Sequence, residues 1–548
     1  MAKWFVILLC FLCYTVGGQE VTQGRFSGGV EMNANVFLRD SSIGAFGLPQ
    51  YETQFFGGEM WLNLNYNTDD LSMGVRFDMY NNSNLRDPND SYTDQGLGRW
   101  FLKKDFDKLT FEAGYLYDQI GSGIIYRAYE LRPLFIDNSL LGGSVRYNIT
   151  DDWFIKGFAG RQRNAFDLYG GNLKGIYSEN FFILGDEDHP ITLSPGIGFV
   201  NKTISDDAME RVVNILRSYL PEDRFTPKYN TYAFTVYNTL SYGAFSWFAE
   251  VSYKSEDVFF NPFADKLEPS GALSRGKYVF EKGSVVSTSL SYNSEKISLS
   301  VEAKRTKNFS FRMDPNARLL KGLISYIPPM NRQNTFRLTA RYNPAIQEIS
   351  EMAYSADLRY NWSDKLSTLV NFSNMRTIEG LQLYREYFSE ILYKINTQWQ
   401  ITGGLQIQNY NQEVYEEKPL APLVETITPY AEVLYKVDKN RSLRMEMQYM
   451  NTEQDFGSWM FALVEFGIAP HWIFEVSGMY NSKPKKVISG SDEPKKALYP
   501  TVGVTYIKGP SRLQFRYIKQ VEGVVCSGGI CRLEPAFSGV RFSLTSNF

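Results

Sequence analysis

The sequence is poor in the residues on which enzyme chemistry and metal binding depend. Its 548 residues include two histidines and four cysteines, and neither an HExxH nor a Walker sequence occurs. The run GDEDH at 185–189 groups carboxylates beside an imidazole, but no second set of ligands follows it, which favours a solvated turn over a cation site. The sequence therefore predicts no catalytic residue, no metal and no cofactor, and a protein that is not an enzyme.

A strong charge of one sign and long apolar runs are also missing. The chain has 57 Lys and Arg residues against 60 Asp and Glu residues, a net charge of −3. This balance gives no reason to expect a nucleic-acid partner. After the first 20 residues, no stretch approaches the run of about 18 apolar residues that indicates a membrane-spanning helix.

The N-terminus has the pattern of a secretory signal peptide. An apolar run follows Lys3, and the small residues Val16 and Gly18 occupy the places before a cleavage site. The alternative is a membrane anchor, but the run is shorter than the roughly 20 residues that cross a bilayer. The sequence therefore predicts a signal peptide over residues 1–18 and a mature exported domain over 19–548.

Aromatic residues and a two-residue period are abundant. The chain has 36 Tyr, 39 Phe and 9 Trp. Stretches such as LSMGVRFDM at 71–79, FRLTARY at 336–342 and RLQFRY at 512–517 alternate apolar and polar side chains, as β-strands do. A soluble sandwich would alternate too. Long strands, charges of both signs on the polar faces and aromatic residues at strand ends favour a barrel that turns its apolar face to lipid.

The connections between these strands favour the same architecture. Short turns such as NTDD at 67–70 and KGPS at 508–511 alternate with longer loops. Short periplasmic turns and long extracellular loops are typical of bacterial outer-membrane barrels. The sequence predicts an all-β protein, a single transmembrane antiparallel up-and-down β-barrel of about 26 strands within roughly 22 to 26. Those strands include one within 167–190 and one at 317–328, the second because the strand number must be even.

The last ten residues, GVRFSLTSNF, predict the closing strand of the barrel. A membrane sheet must close on itself because lipid offers its backbone no hydrogen bonds. The ending also resembles the sorting signal that the barrel-assembly machinery reads during biogenesis. Gly539, Phe542 and Leu544 match its glycine and apolar places and Phe548 its terminus, whereas Phe537 stands where that signal often has a polar residue.

The sequence CSGGIC places two cysteines on either side of a glycine pair. Cys526 and Cys531 are the cysteines that remain after removal of the predicted signal peptide. In an exported protein two such cysteines are expected to pair. The sequence predicts a disulfide that rigidifies the last outer loop.

One stretch, SDDAMERVVNILRSYLP at 205–221, breaks the two-residue period. Its helical face contains Met209, Val212, Val213, Leu216 and Leu220. Asp207 is the expected cap, with Glu210 three places later. The apolar stripe predicts packing on the barrel's own rim or mouth, or alternatively a surface for a partner protein.

The stretch YDQIGSGIIYRAYELRPLFIDNSLLGG at 117–143 mixes charged and apolar residues. Its polar members include Arg127, Glu130, Arg132, Asp137 and Asn138. An outer loop of this composition is expected to fold into the lumen, where opposite charges can pair. Together with the CSGGIC loop and the closing strand, it resembles a family of large outer-membrane barrels of Bacteroidota that has no assigned activity. That resemblance implies organisms with type 9 secretion and multi-protein outer-membrane complexes.

These observations lead to two hypotheses of function. The first is a non-enzymatic protein of the bacterial outer membrane, embedded in its lipid, that is a structural or accessory component of a secretion or assembly complex with other envelope proteins. The alternative is a porin-like channel or transporter for small solutes, since so wide a barrel needs either water or a plug. No separate plug domain is evident, and the predicted lumen arginines Arg337, Arg341, Arg444, Arg512 and Arg516 would favour anions. A soluble exported β enzyme ranks third.

Overall fold

A computed structural model of the chain shows one large β-sheet that closes into a barrel. The predicted signal peptide lies outside the part of the chain that the model describes. The described residues are 24–186, 188–268, 270–317, 321–487, 493–527 and 530–548, without the side chains of 525–530.

The barrel strands follow one another along the chain. The first twelve are β1 Arg25–Phe37, β2 Phe56–Asn67, β3 Leu71–Ser83, β4 Tyr92–Phe106, β5 Leu109–Leu116, β6 Leu140–Asn148, β7 Trp153–Asn164, β8 Asn172–Asn180, β9 Ile191–Thr203, β10 Asn230–Tyr242, β11 Phe245–Leu267 and β12 Leu273–Asn293. The others are β13 Ile297–Lys307, β14 Ser350–Asn361, β15 Leu366–Arg376, β16 Gln382–Lys394, β17 Trp399–Asn411, β18 Leu423–Lys436, β19 Arg441–Met450, β20 Gly457–Ile468, β21 Trp472–Pro484, β22 Leu498–Lys508, β23 Ser511–Gln520 and β24 Phe537–Asn547.

Each strand pairs antiparallel with its neighbour in the chain, and β24 pairs with β1, so the sheet has no open edge. The 26 strands of the sheet comprise a closed circuit of 24 and two short segments beside it, Asp167–Leu168 and Phe182–Leu184. The prediction of an all-β antiparallel up-and-down barrel is confirmed, with a strand number inside the expected range. Closure satisfies the main-chain groups that an open edge would leave exposed.

Strand β3 illustrates how the two faces divide. Phe77 is 46% exposed on the outside of the barrel, whereas Arg76 and Asp78 are each 2% exposed on the opposite face. Directly paired residues share a face, so Leu62 of β2, which pairs with Phe77, also faces the outside of the barrel. The apolar faces therefore form the outer surface, and the polar faces surround the lumen, as in membrane barrels.

The connections differ between the two ends of the barrel. The short-turn end, at which β1 begins and β24 ends, has compact connections such as 68–70, 107–108, 243–244, 294–296 and 509–510. The long-loop end has connections such as 38–55, 117–139, 204–229, 308–349 and 521–536. This alternation matches the predicted pattern of turns and loops.

Helices are few and lie in the long-loop connections. Helix α1 spans Asp206–Arg217 and α2 spans Gln412–Tyr415. Short helical turns occur at Ser41–Ile43, Gln50–Gln54, Arg132–Leu134 and Pro221–Asp223, and two small hairpins pair Glu130–Leu131 with Ile136–Asp137 and Gly523–Ser527 with Ile530–Glu534. None of the helices in the described ranges is both long and apolar enough to traverse a bilayer.

The N-cap of α1 differs from the prediction. Ser205, not Asp207, caps the helix, and its hydroxyl oxygen accepts a hydrogen bond from the main-chain N–H of Ala208 at 3.3 Å. Asp207 lies inside the first turn, where its charge still favours the helix dipole. A serine two residues earlier fits the capping geometry equally well, so the sequence alone did not separate the two.

The apolar stripe of α1 packs against the barrel's own chain. Val212 and Leu216 lie in one cluster with Val258 of β11 and Tyr278 of β12. These two strands are longer than the strands beside them and extend beyond them. Met209 is buried as well and Val213 is partly buried. This packing favours the first of the two alternatives for the stripe, because a covered face is not free to bind a partner.

Two predicted strands between β13 and β14 are wrong. Residues 318–320 lie outside the described part of the chain; the described residues of 317–328 and FRLTARY at 336–342 belong to a long connection and form no barrel strand. Within the second stretch, the Ala340 N–H donates a turn hydrogen bond to the Phe336 carbonyl. Leu338 and Tyr342 are buried, 1% and 3% exposed, within the barrel. Alternation shows that one face is buried but not what buries it, and here the neighbour is the inside of the wall rather than lipid.

Candidate functional site in the barrel lumen

Residues 308–349 connect β13 and β14, and we call them the inserted segment. Their described parts, 308–317 and 321–349, lie inside the lumen and reach from one side of it to the other. The inserted segment begins and ends at adjacent points of the wall, because Lys307 and Ser350 pair directly. Main-chain hydrogen bonds of 2.6 Å join Asn308 to Ile349 and Phe309 to Glu348. The segment therefore leaves the wall and returns to it at one place.

The first half of the inserted segment packs on the connection 117–139, which we call the inner loop. The Tyr326 N–H donates to the Gly123 carbonyl and the Arg127 N–H donates to the Ile324 carbonyl, both at 2.9 Å. Gln162 of β7 donates its side-chain amide to the Leu323 carbonyl at 2.5 Å. These contacts hold the segment near β7 on one side of the barrel.

Its second half contacts the opposite wall through three glutamines. Gln406 and Gln408 of β17 donate side-chain hydrogen bonds to the carbonyls of Thr339 and Tyr342 at 3.0 and 2.8 Å. The Leu338 N–H donates to the side-chain oxygen of Gln448 on β19 at 2.7 Å. Wall side chains thus supply the backbone partners that this irregular stretch lacks within itself.

An apolar layer surrounds the inserted segment toward the long-loop end. Its first half lies in a buried cluster with the inner loop, and its second half lies in another with α2 and the ends of β14–β24. Buried members include Phe309, Phe311, Ile324, Leu338 and Tyr342 of the segment, Ile120, Ile124 and Ile125 of the inner loop, and Tyr384, Tyr410 and Trp459 of the wall. These side chains are buried from solvent, so this part of the lumen packs like a protein core.

The inner loop is anchored by a compact network of buried charges. The Arg76 guanidinium contacts Asp78 at 2.6 Å and Asp137 at 3.0 Å, and Arg163 contacts the same two carboxylates at 3.1 and 2.7 Å. Arg76, Asp78 and Arg163 belong to β3 and β7, and Asp137 belongs to the inner loop. Two cations thus alternate with two anions where solvent has little access, which makes each partner costly to remove.

The other polar residues of the inner loop contact the wall and the inserted segment. Arg132 pairs with Glu31 of β1 at 2.6 Å, and Glu130 pairs with Arg76 at 2.7 Å. Asn138 donates to the carbonyls of Arg127 and Leu323 at 3.0 and 3.1 Å. The Arg127 guanidinium lies 4.0 Å from the centre of the Tyr326 ring.

The structure therefore places all five predicted loop residues on the lumen side and brings them into one connected arrangement. The sequence did not reveal the roles of Arg76, Arg163 or the three glutamines. On their strands these residues are ordinary members of an alternating polar face.

The charge of Asp137 is stabilised by its surroundings. Burial acts to raise the pKa of its carboxyl, but the neighbouring guanidinium groups of Arg163 and Arg76 act against burial and lower the pKa below the ordinary value of 3.8. The Ser139 and Tyr117 hydroxyls also donate hydrogen bonds to it, at 2.8 and 2.9 Å. Asp137 is consequently ionised at neutral pH.

Two lysines of the wall also hold the inserted segment, one near its start and one near its middle. Lys304 of β13 lies 2.8 Å from Glu351 and donates to the Pro328 carbonyl at 2.9 Å. Lys254 of β11 donates to the Ser310 carbonyl at 2.6 Å. These two lysines join the segment to β13 and to β11, and the Lys304–Glu351 pair joins β13 to β14.

Toward the short-turn end the lumen keeps open space. A cavity of about 410 Å³ lies against the inner faces of β4–β7. Its lining residues are Lys103, Thr110, Glu112, Ser144, Arg146, Asn148 and Lys156. The lumen is thus apolar and filled toward one end and polar and roomier toward the other.

The residues of the predicted assembly signal lie on β24 as the alternation requires. Phe542 and Leu544 share the outward face with Phe515 of β23. Gly539 passes so close to β1 that an added Cβ would lie 2.0 Å from the Val36 carbonyl oxygen. Phe548 continues the closure, exchanging main-chain hydrogen bonds of 2.8 and 2.9 Å with Gly28. Recognition by assembly machinery stays a prediction.

The predicted cysteine pair lies in the hairpin of the last outer loop. Cys526 and Cys531 are directly opposite each other in its register. The side chain of Cys526 falls outside the described residues, so the disulfide stays a prediction.

A model of a family of unknown function (DUF6029) matches residues 1–548. None of the curated proteins matches the chain. Among solved structures, the P pilus usher PapC pore is similar with a TM-score of 0.45 at 10% identity, covering 95% of this chain and 99% of PapC.

Two further similar structures are a mutant of the ferric enterobactin receptor PfeA from Pseudomonas aeruginosa and OccAB4 from Acinetobacter baumannii. For PfeA the TM-score is 0.43 at 11% identity, with 95% of this chain and 81% of that chain covered. For OccAB4 it is 0.34 at 11% identity, with 72% and 96% covered. The barrel assignment rests on the strand pairings themselves, because these identities are low.

Proposed function

This chain belongs to that family of unknown function, and we propose that it is a non-enzymatic outer-membrane barrel whose lumen is closed by its own chain. We propose further that it serves as a structural or accessory component of a multi-protein outer-membrane complex for secretion or assembly. The observation that carries the proposal is the inserted segment, which the Gln406 and Gln408 side chains hold across the lumen.

The outer-membrane location is supported by the surface of the barrel. Its strands turn apolar side chains outward, and its sheet closes without an edge. An apolar outer band of this kind is stable in lipid and would aggregate in water. Short turns would face the periplasm and long loops the cell exterior, the arrangement found in bacterial barrels.

A filled lumen argues against a simple diffusion pore. Porins keep a water-filled passage lined by polar groups, whereas the inserted segment and the inner loop here form an apolar layer with the wall. The long loops that remain outside the lumen, together with the projecting β11–β12 hairpin, offer surface to other envelope proteins.

Planar-bilayer conductance of the purified barrel tests whether the lumen is closed. Since Lys307 and Ser350 pair directly, an Asn-Gly turn can replace residues 308–349 without moving β13 or β14. We expect the wild-type protein to be electrically silent and this deletion variant to conduct. A matched control places the same turn between Leu267 and Leu273 at the tip of the β11–β12 hairpin, and should remain silent.

Steady conductance of the wild-type protein would overturn the closed lumen. Affinity isolation from membranes in mild detergent tests the second part of the proposal. Recovery of the chain without any other envelope protein would count against a role in a complex.

A channel or transporter that opens when the inserted segment moves is a second candidate. It is favoured by the cavity of about 410 Å³ toward the short-turn end, which shows that only part of the lumen is packed. Voltage-dependent openings of the wild-type protein would favour this candidate, and their absence across the accessible voltage range would favour the first.

A further inference from the structure

Three arginines on β23 and β24 share the lumen face of the wall. Arg516 lies directly opposite Arg541, and Arg512 lies four residues before Arg516, opposite Thr545. Residues four apart on a strand point the same way, and directly paired residues share a face. Arg541 is on the lumen side because its Nε donates to the Asn35 side-chain oxygen at 2.9 Å.

These guanidinium groups lack the carboxylate partners that Arg76, Arg163 and Arg444 have. Within the described ranges, Arg512, Arg516 and Arg541 form no ion pair. Arg444 of β19 shows the contrast, with three glutamates at 3.2, 3.4 and 3.3 Å. The carboxylates that act on this pair lie beyond ion-pair distance. They are Glu475 of β21, past Gly503, for Arg516, and Glu534 and Glu59 for Arg541.

Such a pair is unfavourable without a ligand. Like charges directly opposite each other across two strands repel and destabilise the sheet. The Nε of Arg516 is also buried, and none of the described residues accepts a hydrogen bond from it. A buried donor left unsatisfied in this way costs free energy, and an acceptor that reaches it recovers that cost.

The arginine pair has apolar neighbours toward the long-loop end, where its electrostatic field is strengthened. Toward the short-turn end it is open to the lumen, so a ligand can reach it there. Phe537 and Ile518, the next buried residues toward the long-loop end, belong to the apolar layer. The Arg541 guanidinium lies 4.9 Å from the centre of the Phe537 ring. Toward the short-turn end, Arg512 is exposed to the lumen. An anion would pass Arg512 before it reaches the pair, and apolar side chains would lie on the far side of the pair.

We propose that Arg516 and Arg541, with Arg512 at the approach, bind a phosphate group that enters from the short-turn end of the lumen. Two guanidinium forks with no carboxylate at ion-pair distance match a dianion with several acceptor oxygens better than they match chloride or a single carboxylate. The ligand is inorganic phosphate or a small phosphate monoester. This site is independent of whether the inserted segment closes the lumen.

Isothermal titration of the purified full-length barrel in detergent tests the proposal. The probes are inorganic phosphate, glycerol phosphate, acetate and chloride, compared at equal ionic strength. We expect saturable binding of one or both phosphates, and roughly tenfold weaker binding or none for Arg516→Gln and Arg541→Gln, since a charge-assisted hydrogen bond is lost. Arg441→Gln, in an exposed pair with Asp438, is the matched control and should bind like the wild type.

The variants should also differ from the wild type in their stability to urea. Removing one of two opposed cations relieves repulsion, so each variant should unfold at a higher urea concentration than the wild type in chloride. Phosphate should stabilise each variant less than it stabilises the wild type. This also shows that the variants fold. Equal responses of the wild type and both variants, no response of the wild type to either phosphate, or equal binding of acetate would each overturn the proposal. Comparison of the two phosphates shows whether the free ion or the monoester is preferred.

Discussion

The side-chain amide of Gln406 donates a hydrogen bond of 3.0 Å to the main-chain carbonyl of Thr339. Gln406 belongs to the wall and Thr339 to the inserted segment, so this bond fastens the inserted segment to the wall. Gln408 repeats the arrangement at Tyr342. The wall thereby fixes a stretch that has no regular structure of its own.

Gln406→Ala combined with Gln408→Ala should loosen the inserted segment. Each substitution leaves a carbonyl unsatisfied, at a cost of about 1–3 kcal/mol for each group. We expect brief conductance openings in planar bilayers from a barrel that still folds. Gln400→Ala, on the lumen face of the same strand toward the short-turn end, is the control. A double variant as silent as this control would contradict the anchoring role.

Arg163→Ala should strongly destabilise the barrel. The substitution leaves Asp78 and Asp137 with one cation between them in a buried site. Breaking a buried pair in this way costs about 3–5 kcal/mol. Urea unfolding in detergent, followed by the loss of heat-modifiable migration, measures the change. Arg441→Ala, which breaks an exposed pair, should change stability little, and similar losses in both variants would contradict the prediction.

The contribution of Asp137 to the free energy of unfolding should disappear in acid. Its folded-state pKa is lowered, so its stabilisation is complete above the ordinary carboxyl pKa of 3.8 and is lost as the pH falls below that value through the folded-state pKa. Asp137→Asn lacks the contribution at every pH. The stability difference between wild type and variant should therefore stay constant from neutral pH down to the ordinary carboxyl pKa of 3.8 and shrink below it. Unfolding midpoints measured from neutral pH into this acid range provide the test. A difference that stays constant would exclude this assignment.

Gly539→Ala should impair closure of the barrel between β24 and β1. The added methyl group would lie 2.0 Å from the Val36 carbonyl oxygen, so the backbones must separate. A clash of this kind costs about 1–3 kcal/mol. The fraction of heat-modifiable protein in membranes measures closure. Gly523→Ala is the control because nothing lies within 4 Å of its added Cβ, and equal yields of both variants would refute the expectation.

The strand content was predictable because lipid outside and polar groups inside impose an alternation on every strand. Residues 71–79 and 512–517 show it plainly, and both lie on barrel strands. Residues 336–342 show it equally and are not a strand, since burial on one face arises inside the lumen as well. Arg337 and Arg341 consequently belong to the inserted segment rather than to the wall.

The sequence by itself determined the all-β class, the alternation of short turns and long loops and the closing strand, because each follows from local periodicity and turn chemistry. Only the tertiary structure decided which polar residues meet. Arg76, Arg163 and Asp137 are far apart in the chain, and Gln406 is far from Thr339. Their contacts depend on the curvature of a closed sheet and on the path of one connection through its interior, and neither leaves a local signal in the sequence.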